Sequence, residues 1–78
     1  HMEFSDGFRR DLQSGWGSPN LVADAALNEL FRLTADLDHD EQVSHAMVLG
    51  IIAGQTEKET LDKFLEKFEV YLKEEEIV

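Results

Sequence analysis

Apolar residues near the start of the chain recur at a helical spacing. Phe4, Phe8 and Leu12 are four residues apart, so they would share one face of a helix, and the spacing predicts a short helix over residues 4–13. The segment at residues 15–17 has a tryptophan between two glycines, and glycine is a poor helix residue. We therefore expect a loop that ends this first helix.

A second helix is predicted over residues 19–35. Ser18 can cap free backbone N–H groups, and Pro19 at the first helical position loses nothing by lacking a donor. The apolar positions that follow at helical spacing are Leu21, Ala25, Leu27, Leu30, Phe31 and Ala35. Polar residues lie between them, which is typical of a helix that packs one face on a core.

A third helix is predicted to begin after Asp38 and to end at Gly54. Asp38 is followed three residues later by Glu41, which fits an aspartate variant of the capping box at a helix start. Glycine commonly follows the last residue of a helix. The second half of the segment is apolar on nearly every side, so we expect this helix to be the central and most buried element.

The longest amphipathic segment predicts a fourth helix that begins at Thr56. Thr56 and Glu59 fit a second capping box. The apolar residues that follow at helical spacing are Leu61, Phe64, Leu65, Phe68, Tyr71 and Leu72. Residues 74–76 are three glutamates at the negative end of the helix dipole, where carboxylates are unfavourable, so we expect fraying there.

These patterns predict an all-α fold, a compact bundle of three main helices plus a short N-terminal helix. Residues 1–2 are interpreted as a cloning remnant, and residues 3–78 as a single helical domain with a frayed acidic C-terminus. The predicted core consists of Leu27, Leu30, Phe31, Val43, Met47, Ile51, Leu61, Phe64, Leu65 and Phe68. A chain of 78 residues buries a small core, so a homodimer is a further possibility.

The charge of the chain limits the partners that it can bind. Seventeen acidic and seven basic side chains give a formal net charge of -10, which repels phosphate backbones and anionic lipids. No apolar run approaches the roughly 20 residues that cross a bilayer. We therefore expect a soluble, cytoplasmic protein that binds neither nucleic acid nor membranes and that associates with a basic protein surface.

Three aspartates form the most suggestive cluster for a metal. Asp36, Asp38 and Asp40 resemble positions 1, 3 and 5 of an EF-hand calcium loop. However, Glu41 stands where that loop needs glycine, and Met47 stands where a bidentate glutamate closes the coordination. We expect no metal site and no cofactor, with Asp38 acting as a helix cap.

No arrangement of residues indicates catalysis. The chain has no cysteine, and no serine lies in a strand-to-helix turn where it could act as a nucleophile. Glu41 and His45 are four residues apart, a spacing that suits two metal ligands on one helix face, but the sequence offers no third and fourth ligand at fixed spacing. We expect that the protein is not an enzyme.

The favoured hypothesis is a small acidic helical module that docks on a basic partner protein, in an immunity, antitoxin, phage-type inhibitor or adaptor role. The candidate partner-binding residues are Trp16, Asp36, Asp38, Asp40, Glu41, Glu59, Asp62, Glu66 and Glu69. Trp16 has two interpretations, since it either closes the core or anchors a partner. The alternatives are an assembly domain that homo-oligomerises through the apolar side of its long fourth helix, and a degenerate EF-hand-like cation-binding module.

Overall fold

Four α-helices pack around one core in the computed structural model, which describes residues 3–78. They are α1 (Asp6–Gly15), α2 (Pro19–Leu33), α3 (His39–Ala53) and α4 (Leu61–Glu74), with a short 3-10 helix (Thr56–Lys58) before α4. These residues contain no β-strand, so the predicted all-α bundle of three main helices plus a short N-terminal helix is confirmed. The interpretation of residues 1–2 as a cloning remnant lies outside the described residues.

Asp38 caps α3, as its position in the sequence predicts. Its Oδ1 accepts a hydrogen bond from the backbone N–H of Glu41 at 2.9 Å. The helix ends before Gly54, also as predicted, but Gly54 is right-handed (φ -63°) and not in the left-handed conformation common at that position. The predicted side-chain cap at Ser18 is absent, although Ser18 does occupy the N-cap position of α2.

The fourth helix begins later than the sequence predicts. Thr60 caps α4, because its Oγ1 accepts a hydrogen bond from the backbone N–H of Lys63 at 3.2 Å. Thr56, the predicted cap, is buried and begins the 3-10 helix instead. A cap at Thr56 would leave only Gly54 and Gln55 to turn the chain back from α3, and the 3-10 helix supplies the missing length.

Two glycines allow the tight junction between α1 and α2. A Cβ atom at Gly15 would lie 2.7 Å from the Cβ of Leu21, so no larger residue fits there without a shift. Gly17 has φ +97°, a conformation that side chains other than glycine rarely adopt. The junction brings the ring of Trp16 against that of Phe64, with centroids 6.0 Å apart, so Trp16 packs on the core from its half-buried position.

Aromatic rings join the start of the chain to α4 inside the core. The ring centroid of Phe68 lies 5.3 Å from that of Phe4 and 5.6 Å from that of Phe8. Among the predicted core residues, Leu30, Phe64 and Phe68 are fully buried, and Leu27, Leu61 and Leu65 are half-buried. The buried apolar residues are Phe4, Phe8, Leu12, Val22, Ala25, Ala26, Leu30, Leu49, Ala53, Phe64, Phe68 and Leu72.

The expectation that the third helix is the most buried element is wrong. Three predicted core residues of α3 are exposed, namely Val43 (39%), Met47 (69%) and Ile51 (69%), and so is one of α2, Phe31 (41%). Within α3 only Leu49 and Ala53 are fully buried, because the neighbouring helices pack against a single side of it. A helix that is apolar on every side has no preferred orientation in its sequence, so the pattern could not identify the buried face.

A Schellman motif closes the end of α4. The backbone N–H of Ile77 donates to the carbonyl of Leu72 at 2.9 Å, and that of Glu76 donates to the carbonyl of Lys73 at 3.1 Å. Glu76 has φ +58°, the left-handed conformation that this motif requires. Ile77 returns to pack against the core. Fraying at residues 74–76 in solution stays a prediction.

Two substitutions in α3 test which of its faces is buried. We expect Leu49→Ala to lower the free energy of unfolding by about 2–5 kcal/mol, because it leaves a cavity in the core. Met47→Ala, two residues earlier on the exposed face, should change the free energy of unfolding of the monomer by less than about 0.5 kcal/mol, measured at a protein concentration too low for association. Urea unfolding followed by circular dichroism measures both. Equal losses for the two variants would contradict the orientation of α3.

Candidate functional site

Glu29 of α2 has a buried carboxylate that holds the start of the chain. Its Oε2 accepts a hydrogen bond from the backbone N–H of Ser5 at 2.8 Å, and its Oε1 accepts one from the Ser5 hydroxyl at 3.0 Å. Arg32 donates from Nε to Oε1 at 2.8 Å and from its guanidinium NH2 group to Oε2 at 3.1 Å. The four bonds compensate for the burial of this charge and anchor Ser5 to α2.

The protonation of Glu29 reflects these contacts. Burial by itself raises the pKa of the Glu29 carboxyl, but the hydrogen bonds from Arg32 and Ser5 outweigh it. The net effect is a pKa below the ordinary glutamate value, while the pKa of Arg32 is raised by its hydrogen bond to Glu29. The pair is therefore charged in the folded protein near neutral pH.

The anchored segment forms one wall of a surface groove. Ser5 caps α1 through its hydroxyl, which accepts a hydrogen bond from the backbone N–H of Phe8 at 3.2 Å. Phe4, the residue before it, is 8% exposed and its ring packs at a tilt against that of Phe68. Phe4 and Arg9 of α1 then face α4 across the groove. The position of this wall depends on the bonds between Ser5 and Glu29.

The groove has apolar and acidic lining residues and a volume of about 750 Å³. The lining residues are Phe4, Arg9, Asp62, Leu65, Glu66, Glu69 and Val70. Phe4, Leu65 and Val70 supply apolar surface, and Val70 is 47% exposed. Three carboxylates against one guanidinium leave the groove with an excess of negative charge. The groove can therefore accept a cationic group that also has an apolar stem.

Two of the three carboxylates are available for a partner. Asp62 and Glu66 are exposed, and neither forms a salt bridge with any side chain of residues 3–78. Glu69 is half-buried and lies 3.9 Å from the ammonium of Lys73. Glu59, predicted to belong to the same acidic line, does not line the groove and is bonded to Lys67 instead. The structure thus brings together Asp62, Glu66 and Glu69 of the predicted residues.

The other predicted carboxylates lie elsewhere. Asp36, Asp38, Asp40 and Glu41 are exposed around the start of α3 and do not line the groove. Asp38 is occupied as a helix cap. Within residues 3–78 no group of three or more His, Asp or Glu side chains is placed to hold a metal ion, so the three aspartates do not converge as an EF-hand loop would require.

A polar contact between α3 and α4 is absent from the sequence-based predictions. His45 Nδ1 and the Tyr71 hydroxyl share a hydrogen bond at 2.7 Å, and Glu75 Oε1 lies 3.9 Å from the same nitrogen. Burial raises the pKa of Tyr71, and the charge of Glu75 adds to the effect. His45 is therefore half-buried and bonded, and its position reflects contacts with α4.

No family model, curated protein or solved structure matches this chain. Nor does any helix within the described part of the chain have the length and apolar character needed to span a bilayer.

The Glu29 anchor predicts an acid-sensitive contribution to stability. The folded-state pKa of Glu29 is depressed, so its contribution is fully present above the unfolded-state pKa and is lost as pH falls through the lower folded value. We expect Glu29→Gln to reduce the free energy of unfolding by about 1–3 kcal/mol at neutral pH. The difference between wild type and variant should shrink as pH falls below the ordinary glutamate pKa. Urea unfolding at a series of pH values measures it, and a pH-independent difference would contradict this role.

Proposed function

We propose that this protein is an acidic binding module whose groove receives a basic segment of a partner protein. The observation that carries the proposal is the juxtaposition of Asp62 and Glu66, both exposed, with the apolar surface of Leu65 and Val70. A groove with both kinds of surface suits an arginine or lysine side chain, whose stem is apolar and whose end is charged. The net charge of -10 adds long-range attraction for such a partner.

Binding proceeds in two physical stages. The carboxylates attract a basic segment and raise its association rate, and this attraction weakens as salt screens it. Contact with Phe4, Leu65 and Val70 then removes apolar surface from water and slows dissociation. The lining residues offer carboxylates, one guanidinium and apolar groups, so the proposal assigns binding to the groove and no catalytic step.

The biological role that suits this chemistry is the occupation of a basic surface on another protein. The candidate roles of this kind are those of an immunity protein, an antitoxin, a phage-type inhibitor or an adaptor, and we keep the cytoplasm as the expected location. The acidic charge supports such a role because a basic surface that normally holds nucleic acid would also attract these carboxylates.

Paired charge removals test the proposal. One variant combines Asp62→Asn with Glu66→Gln, and its matched control combines Asp36→Asn with Asp40→Asn. Each variant loses two exposed carboxylates, one of them at the second residue of a helix. We expect the groove variant to capture its partner from a source-cell lysate several-fold more slowly at low salt, and the control to change capture much less, because the partner contacts the groove.

The association rate of the captured partner is measured by surface plasmon resonance at low and high salt. The proposed function predicts that the difference in association rate between the groove variant and its control disappears at high salt, because salt screens exposed charges. Equal rates for wild type and the groove variant at low salt would overturn it. If the control variant loses more of its association rate than the groove variant, the partner binds at the start of α3 and not in the groove.

A further inference from the structure

One face of α3 is apolar and directed to solvent. Val43, Met47 and Ile51 lie on it, and Met47 and Ile51 are each 69% exposed. Gly50 belongs to the same face, and Val48 borders it with 40% of its surface exposed. We call Val43, Met47, Gly50 and Ile51 the α3 face. The apolar side of α4, by contrast, is buried in the protein's own core, so assembly through that helix would have to expose the core.

The α3 face is uncharged in a strongly acidic protein. Between Glu41 and Glu57 the chain has no Asp, Glu, Lys or Arg. The one titratable side chain in that interval, His45, is half-buried and bonded to Tyr71 on the side towards α4. A basic partner would find no carboxylate to pair with here. A second copy, however, presents the same uncharged residues to this face.

Gly50 leaves open space on the face next to an exposed methionine side chain. Gly50 lies one turn after the exposed side chain of Met47, and a Cβ atom at Gly50 would meet no atom within 4 Å, so it forms an open notch. Two antiparallel copies of α3 related by a two-fold axis between these residues would place each Met47 over the partner's notch. Val43, Met47, Gly50 and Gly54 follow alternate spacings of four and three, the spacing of a helix–helix seam.

The available area suits a dimer. A standard protein interface takes about 800 Å² from each partner. The protein has 4990 Å² of accessible surface and measures 31 × 23 × 21 Å, so a standard interface would take the whole side of the bundle on which the α3 face lies. With 15 residues, α3 is about 22 Å long and extends along one such side.

We propose that the α3 face is a homodimer interface in which a second copy of this chain packs antiparallel against α3. The dimer is independent of the acidic groove, because no residue of the α3 face lines it. Added salt should change the affinity of the dimer in the direction opposite to its effect on binding of a basic partner. Two chains of charge -10 repel each other, so added salt screens the repulsion and strengthens the dimer.

Sedimentation velocity over a range of protein and salt concentrations tests the proposal. We expect a reversible dimer of the wild-type protein whose dissociation constant falls as salt rises. Met47→Lys places a charge in the interface and should raise the dissociation constant at least tenfold. Leu21→Lys is the matched control, because Leu21 is an exposed apolar residue of α2 outside the α3 face, and it should dimerise as the wild type does. Circular dichroism confirms that both variants fold.

Several outcomes would overturn the homodimer. A wild-type protein that is monomeric at every protein and salt concentration rules out the homodimer. This holds even if Met47→Lys abolishes capture of a different protein, because the α3 face would then bind that protein and not a second copy. A dimer that weakens with salt is held by charge and lies elsewhere. Equal dimerisation of the two lysine variants also excludes the α3 face. The Asp62→Asn, Glu66→Gln variant should still dimerise, so failure of the groove proposal and failure of the dimer are separate results.

Discussion

A carboxylate removed from water is strongly destabilising unless its oxygens are bonded, and this constraint determines how the start of the chain is placed. Glu29 is 3% exposed, and both of its oxygens accept hydrogen bonds from Ser5 and Arg32. Without Ser5 the buried charge would lose two of its four donors. The carboxylate therefore fixes the start of α1 against α2, and with it the two phenylalanines that cover Phe68.

The arrangement of the surface follows from that placement. Phe4 and Phe8 cover Phe68. The groove then lies between Phe4 and Arg9 on one side and the residues of α4 that include Asp62 and Glu66 on the other. Away from the groove, α3 buries Leu49 and Ala53 and leaves Val43, Met47, Val48 and Ile51 exposed. One side of the protein is therefore acidic and concave, and another is neutral and apolar. Such surfaces suit partners of different chemistry.

The sequence predicts the helices better than it predicts their orientation. The period of four in α4 identifies Phe64 and Phe68 correctly because that helix has a clear polar side. The segment of α3 has no polar side chain after His45, so the same reasoning placed Met47 in the core. The acidic positions of the groove could be predicted, since Asp62, Glu66 and Glu69 share one side of a helix.

Glu29 and the groove wall could not be predicted from local patterns. In the sequence Glu29 resembles any surface glutamate of an amphipathic helix, and its bonding partner Ser5 is 24 residues away. The three-residue spacing from Glu29 to Arg32 indicates an ion pair but not its burial. The predicted helix over residues 4–13 included Phe4, but α1 begins at Asp6 and Phe4 precedes its N-cap, so Phe4 is buried by a tertiary contact with Phe68 and not by its place on a helix.

Nuclear Overhauser effects between the ring protons of Phe4 and Phe68, compared in the wild type and in Glu29→Ala, measure whether Glu29 positions the groove wall. We expect a strong effect in the wild type, consistent with ring centroids 5.3 Å apart, and its loss in the variant. The effect between Trp16 and Phe64, which does not involve the anchored segment, should remain and shows that the bundle is intact. An undiminished contact between Phe4 and Phe68 in the variant would contradict the claim that Glu29 positions this wall.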